Sequence, residues 1–479
     1  MELKVPESRN VYFLWSLFVA LIISCWPGPV YAGAAEREKW GGRYYEPVEV
    51  PGEMLAPLLG QKINRLAVFS WQGGEWKPVL SQVDERTPTG QFILTRGPES
   101  NAGLSNGLFD PQDLIVFMAR DSGEKAPEGK IPEGVDRIVS VELADPVSGN
   151  RSWVYPVSYK TEAPNFHLPP VSDLREIEEG FFFKFSTYVY RALVNQVGKT
   201  KVPTIFINQL QILPEAGGTA DNIIDRQKIR GSIRFLGGLI KVPFNESIVN
   251  GGVVAYQPGP VRILTHSTMY PVFPLGVKGP KFFLDSIMTD TLTLTTTIVS
   301  VPFDPGYLIH DMALSFSTDL TPAAKGMKFY DSINQQGYLI DGRMDENEKK
   351  FNTGKEDWRL ITGPQGTQIQ KTSFDPKFLA KGKSSSTYND DEGDLHPPEN
   401  FPGDIGSAAD QLVIKGLSSG IYRIETFGCI PYDFYRPEGP NFKLLKEILD
   451  IPAYPLVIIV GEKKIGNLGG RPRDILMPQ

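Results

Sequence analysis

The densest chemical grouping in the chain is Tyr388-Asn389-Asp390-Asp391-Glu392-Gly393-Asp394, followed by Glu399 and Asp404. Clustered oxygen ligands in a glycine- and proline-rich loop are what calcium coordination needs. Asp390, Asp391, Asp394 and Asp404 are the first candidate ligands, and the ion would brace the loop or hold an acidic sugar. The spacing is not that of an EF-hand, because the glycine falls at the wrong offset and no flanking helices are evident. A solvated acidic loop is the competing reading. A second grouping is aromatic: Trp358 precedes Gly363-Pro364-Gln365-Gly366, and Tyr432, Phe434 and Tyr435 crowd the stretch after Cys429. Exposed rings of this kind stack on the apolar faces of sugars; the competing reading is ordinary packing. A third lies on an extended stretch in which Arg262, Leu264 and His266 alternate onto one face. A cationic pair there suits the carboxylate of a uronate, and a solvated or locally paired face is the alternative.

Familiar catalytic signatures are absent. The chain has no Gly-x-Ser-x-Gly elbow, no phosphate-binding glycine loop ending in Lys-Ser/Thr, and no His-Glu-x-x-His. Its four histidines, His167, His266, His310 and His396, match no zinc spacing. An enzyme built from distant carboxylates, a polysaccharide lyase or glycoside hydrolase, stays open.

The N-terminus carries an address. Lys4 and Arg9 precede an apolar run from Val11 to Trp26, and Val30-Tyr31-Ala32 makes a small-residue cleavage site. That order is a secretory signal peptide over residues 1–32. The run is short of the roughly 20 residues that span a bilayer comfortably, so no integral span is expected after its removal. The protein is therefore expected in the periplasm or outside the cell. Ile22-Ile23-Ser24-Cys25 offers an alternative, a lipid anchor at Cys25. Only Cys25 and Cys429 are present, so the mature chain has no internal disulfide, and Cys429 reads as a buried structural thiol. A net charge of -7 without a Lys/Arg block gives no electrostatic case for nucleic acid or for anionic lipid.

The remaining chain, with 40 prolines and 47 glycines, favours turns and strands over helix. Period-two patterns recur, most clearly over Thr289 to Val301, where Leu292, Leu294 and Ile298 share a face opposite threonines. The pattern predicts a mainly β protein with two or more antiparallel β-sandwich domains and few short helices. The expected regions are 33–165, 171–344 and 358–479. The last has a hairpin turning at Ser418-Ser419-Gly420, one helix from Phe442 to Leu449, and a mobile tail from Gly461. Frequent prolines argue against an outer-membrane barrel.

Two stretches resemble exported bacterial β-sandwich proteins associated with polysaccharide breakdown. The first is Trp76-Lys77-Pro78-Val79-Leu80-Ser81-Gln82-Val83-Asp84-Glu85, followed by Asp113-Leu114-Ile115-Val116-Phe117-Met118-Ala119. The second is Gly259-Pro260-Val261-Arg262. The resemblance covers about a quarter of the chain. It implies sandwich domains and a carbohydrate setting, and it supplies no catalytic residues. Gln82, Asp84 and Glu85 read as fixing a turn. Together these observations point to an exported envelope protein that binds or helps process a polysaccharide or oligosaccharide. The rival is a noncatalytic assembly component with a protein partner.

Overall fold

The computed structural model describes residues 40–178, 180–197, 200–273, 276, 278–301, 304, 309–355, 357–394, 403–416 and 418–467, with side chains of 193–206 excepted. The export segment, Cys25, His396 and Glu399 lie outside them. From Gly42 onward the chain forms one compact unit.

The unit is mainly β, and its strands pair antiparallel. Alternation builds them as expected: along Leu292–Val301 the buried positions are leucine, isoleucine, valine and Thr296, and the other threonines are half-exposed. Nine strands form the largest sheet, running from Val249–Pro258 through Arg262–Pro271, Lys281–Thr289 and Leu292–Val301 to Gly420–Cys429. It continues through Gly366–Phe374 and Arg359–Gly363 to Lys328–Asp331 and Tyr338–Leu339. A five-stranded sheet runs Ile240–Asn245, Ile224–Phe235, Ile309–Leu320, Gly406–Lys415, Gly382–Asn389. Val299, Val301, Tyr422 and Ile424 of the large sheet pack on Leu412 and Ile414 of the smaller one. A four-stranded sheet between Ser172 and Ile212 closes a second core, in which Phe181, Phe183 and Tyr188 join Val253, Ile263 and Met288.

Sheet membership crosses the boundaries suggested by the sequence. Strands before residue 344 and after 358 share both large sheets. The two strands flanking Ser418-Ser419-Gly420 do not form a hairpin. Gly406–Lys415 pairs with Ile309–Leu320, whereas Gly420–Cys429 pairs with Leu292–Val301, so the turn carries the chain from one layer to the other. Each strand buries apolar residues in the core between the two layers while pairing within its own layer.

The C-terminal stretch also differs from expectation. Val457–Val460 and Lys463–Gly466 form a hairpin that extends the N-terminal seven-stranded sheet beside Val141–Ala144. Leu456 and Ile458 are buried in the core formed by Val50, Ile115, Phe117 and Val154. The Asn467 amide donates to Glu46 Oε1 and to the Pro47 carbonyl, both at 2.8 Å. The N-terminal sandwich is thus completed by residues more than 300 positions away.

Replacing Ile458 with alanine removes a fully buried side chain, and denaturant titration should show a loss of about 2–5 kcal/mol. Lys464→Ala, on the exposed side of the same hairpin, should stay within about 0.5 kcal/mol of wild type.

Candidate functional site

The helix Phe442–Leu449 begins at Asn441, whose side-chain oxygen accepts the Leu444 N–H at 3.0 Å. Leu445, Ile448 and Leu449 turn inward at helical spacing. Phe442, on the first turn, is left 40% exposed. Its ring meets Trp358 at 6.2 Å between centroids and Tyr330 edge-on at 6.3 Å. Trp358 is held just before the strand Arg359–Gly363, where its carbonyl accepts the Ser332 N–H at 3.1 Å. Burial raises the pKa of Tyr330, and nearby Tyr435 adds to the shift. Trp358 and Tyr435 are each half-buried. Trp358 and Phe442 therefore meet at the surface, and Tyr435 lies close enough to the buried Tyr330 to act on it. Phe442 and Tyr330, which pack with Trp358, were hidden in the sequence by their places in a helix and a strand.

Trp358 also walls a narrow crevice with Lys355, Asp357, Thr372, Phe374, Ser384, Ser385 and Asp410. Its free space of about 10 Å³ admits one water molecule. The polar wall is partly committed: Asp410 accepts from the Arg359 guanidinium and from the Thr372 hydroxyl, the latter at 2.9 Å. Ser384 Oγ is buried and has no hydrogen-bond partner among the described residues. The site thus sets aromatic faces beside hydroxyl, ammonium and carboxylate groups.

The other two aromatic residues singled out from sequence, Tyr432 and Phe434, are buried. Tyr432 is 5% exposed and donates to Asp290 Oδ2 at 3.0 Å. Arg120 Nη2 and Ser186 Oγ reach the same oxygen at 2.6 and 3.2 Å. This buried junction ties together four segments. Nearby, burial drives the Cys429 thiol well above its ordinary pKa, as expected of a structural cysteine.

Arg262 and His266 do not face solvent as an open cationic pair. Arg262 is fully buried. Its Nε donates to Asp84 Oδ2 at 2.7 Å, and its guanidinium also pairs with Glu49. Burial lowers its pKa, but Asp84 and Glu49 outweigh this and raise it above the ordinary arginine value. Gln82 Oε1 accepts the backbone N–H groups of Val261 and Arg262 at 3.0 and 2.9 Å. Gln82 Nε2 in turn donates to Asp84 Oδ1 at 2.6 Å. The two stretches that carried the sequence resemblance are thus two sides of one buried contact. Glu85 fixes the adjacent loop by accepting from Ser105 Oγ at 2.7 Å. His266, 4% exposed, faces its cross-strand partner Asp285 with Nδ1 and Oδ1 2.5 Å apart, and its ring stacks on Phe283. The face that alternation suggested as solvated is covered, because the strand packs on both sides.

The acidic residues of the 390–394 loop are engaged in hydrogen bonds of their own. Asp390 is buried, and its two oxygens accept the N–H groups of Asp341 and Gly342 at 2.8 and 2.9 Å. Asp391 accepts from the Gly393 N–H at 2.9 Å, and Asp394 from the Asn389 amide at 3.2 Å. Asp404 is buried, close enough to Asp319 to raise its pKa. Among the described residues no three His, Cys, Asp or Glu side chains come together as a metal site.

No protein-family model matches this chain, and no curated protein matches it. Among solved structures, heparan sulfate lyase HepC from Pedobacter heparinus aligns over 64% of this chain and 43% of its own, at 9% identity and a TM-score of 0.27. Slr1438 from Synechocystis sp. PCC 6803 aligns over 56% of this chain and all of its own, at 8% identity and a TM-score of 0.29. The 4-alpha-glucanotransferase from Thermococcus litoralis aligns over 55% and 40%, at 8% identity and a TM-score of 0.26. This chain thus spans less than half the length of the lyase and of the glucanotransferase. Likeness at this level carries no functional argument.

Arg262→Ala would strand Asp84 and Glu49 in the interior, and urea titration should show a loss of about 3–5 kcal/mol. A pH series tests the second buried group. Asp319, beside Lys228 at 2.8 Å, is pushed by burial from 3.8 up to about 7. Between those values the unfolded state gives up the proton and the folded state keeps it, so this group's contribution to stability falls as pH rises from about 4 to about 7. Asp319→Asn should flatten that fall, and an unchanged slope would refute the assignment.

Proposed function

We propose that the protein is an exported envelope protein that binds a glycan on the patch formed by Trp358, Phe442 and Tyr435. One observation carries this reading: Trp358 and the exposed Phe442 lie side by side next to a crevice lined with hydroxyl and charged groups. A sugar ring presents an apolar C–H face and an equatorial rim of hydroxyls. It needs both an aromatic surface and polar groups at its edge. Lys355, Asp357 and Ser385 supply that edge. Asp410 is engaged with Arg359 and Thr372 and braces the wall. The reading is one of recognition. It owes nothing to Arg262 and His266, which are buried in ion-paired contacts.

A glycan array probed with the full chain, followed by affinity measurement on each hit, tests the proposal. Trp358→Ala should weaken binding by roughly tenfold or more, about 1.4 kcal/mol. Phe442→Ala should weaken it by a smaller factor. Binding that survives both substitutions, or no binding across neutral and acidic glycans, would refute this site.

A further inference from the structure

The end of the five-stranded sheet gathers positive charge that is scattered in the sequence. Lys241 pairs in register with Arg234, Arg234 with Asp311, and Asp311 with Lys415. The Lys415 N–H donates to the Lys381 carbonyl at 2.8 Å, which adds Lys381 at the far edge. Four cations and one carboxylate thus lie in a single cross-strand row, ~19 Å long at the usual strand spacing. The carboxylate is spoken for: Asp311 is buried and accepts from Arg234 Nε at 2.8 Å. Lys381 bonds only the Gly416 carbonyl and Ser418 Oγ, and Lys241 and Lys415 are exposed with no acidic partner among the described residues. Register partners in an antiparallel sheet point to the same face, so Lys241, Arg234, Asp311 and Lys415 share one side. That side is opposite Leu412 and Ile414, which face the core.

Just beyond this row, the turn between Ile224–Phe235 and Ile240–Asn245 exposes three large aliphatic side chains. Leu236, Leu239 and Ile240 are 56%, 87% and 49% exposed. Leu236 has a φ of 50°, and Gly237 and Gly238 follow at 69° and 93°. A leucine in left-handed conformation is unfavourable where asparagine or glycine would do. An apolar residue kept both strained and in water has no folding rationale. An aliphatic tip next to a cationic row matches the boundary of a membrane. Its side chains enter the acyl region while ammonium groups meet anionic headgroups.

We propose that this corner of the sandwich docks on a bilayer containing anionic phospholipid, with the 236–240 turn inserting and the Lys241–Lys381 row lying against the headgroups. The sequence gives no hint of it, because a net acidic chain hides a basic row that only strand register assembles. The aliphatic tip favours lipid over an anionic polysaccharide, which would use the cations alone.

Vesicle flotation of the full chain tests this, comparing phosphatidylcholine vesicles with vesicles in which three lipids in ten are phosphatidylglycerol. Comparing the two vesicle types, and variants against wild type, cancels any contribution from the N-terminal apolar run. Binding should be at least about fivefold greater on the anionic vesicles and should fall with added salt. Lys241→Glu with Lys415→Glu, and separately Leu236→Asn with Leu239→Ser, should each remove most of that difference. Lys77→Glu, on a strand of the N-terminal sandwich, should leave it intact. Circular dichroism confirms that each variant is folded. Equal binding to both vesicles, an unchanged difference in either double variant, or retention on heparin without vesicle binding would overturn the proposal.

Discussion

The structure depends on one buried ionic contact, that of Arg262 with Asp84 and Glu49. Desolvating a guanidinium is costly, and the cost is met only when its donors are matched by carboxylates in good geometry. Here the carboxylates come from two strands of the N-terminal three-stranded sheet, and the arginine from the second strand of the nine-stranded sheet. Phe92 covers the guanidinium at 5.6 Å from its ring centroid. Such a contact adds little net stability over an apolar one. It does join the two sheets at a point where three charges must meet.

Around that contact the chain is arranged by long returns. The N-terminal sandwich takes its last two strands from the C-terminus, and both large sheets draw strands from either side of residue 350. Positions distant in sequence thereby become neighbours on one surface. The patch of Trp358, Phe442 and Tyr435 forms in this way, with a strand edge, a helix start and a loop each supplying one ring. The cationic row at the end of the five-stranded sheet forms likewise from five separate segments.

The class of fold was legible, because period-two patterning reports burial on one face of a strand whatever its partner is. The helix at Phe442–Leu449 was legible for the corresponding reason, an apolar stripe at helical spacing. Pairing was not legible. The strands flanking Ser418-Ser419-Gly420 looked like a hairpin, since a short turn between two apolar strands has the same pattern whether they pair or diverge. Arg262 and His266 looked solvated because alternation of polar and apolar types implies one wet face. Asp84, Glu49 and Asp285, which make their burial tolerable, lie on other strands. The acidic loop looked like a cation site because carboxylates close in sequence suggest convergence. Asp390 instead turns inward onto backbone N–H groups, whereas Asp391 and Asp394 bond locally. Trp358 and Tyr435 were singled out by residue type alone, and Phe442 was named only as the first residue of the helix.

The central functional claim is the place where a glycan lies. Hydrogen–deuterium exchange on the full chain, with and without a saturating oligosaccharide, reports it directly. The account predicts slowed exchange at 355–360, 384–386 and 441–445. Protection confined to other segments, with these three unchanged, would contradict it.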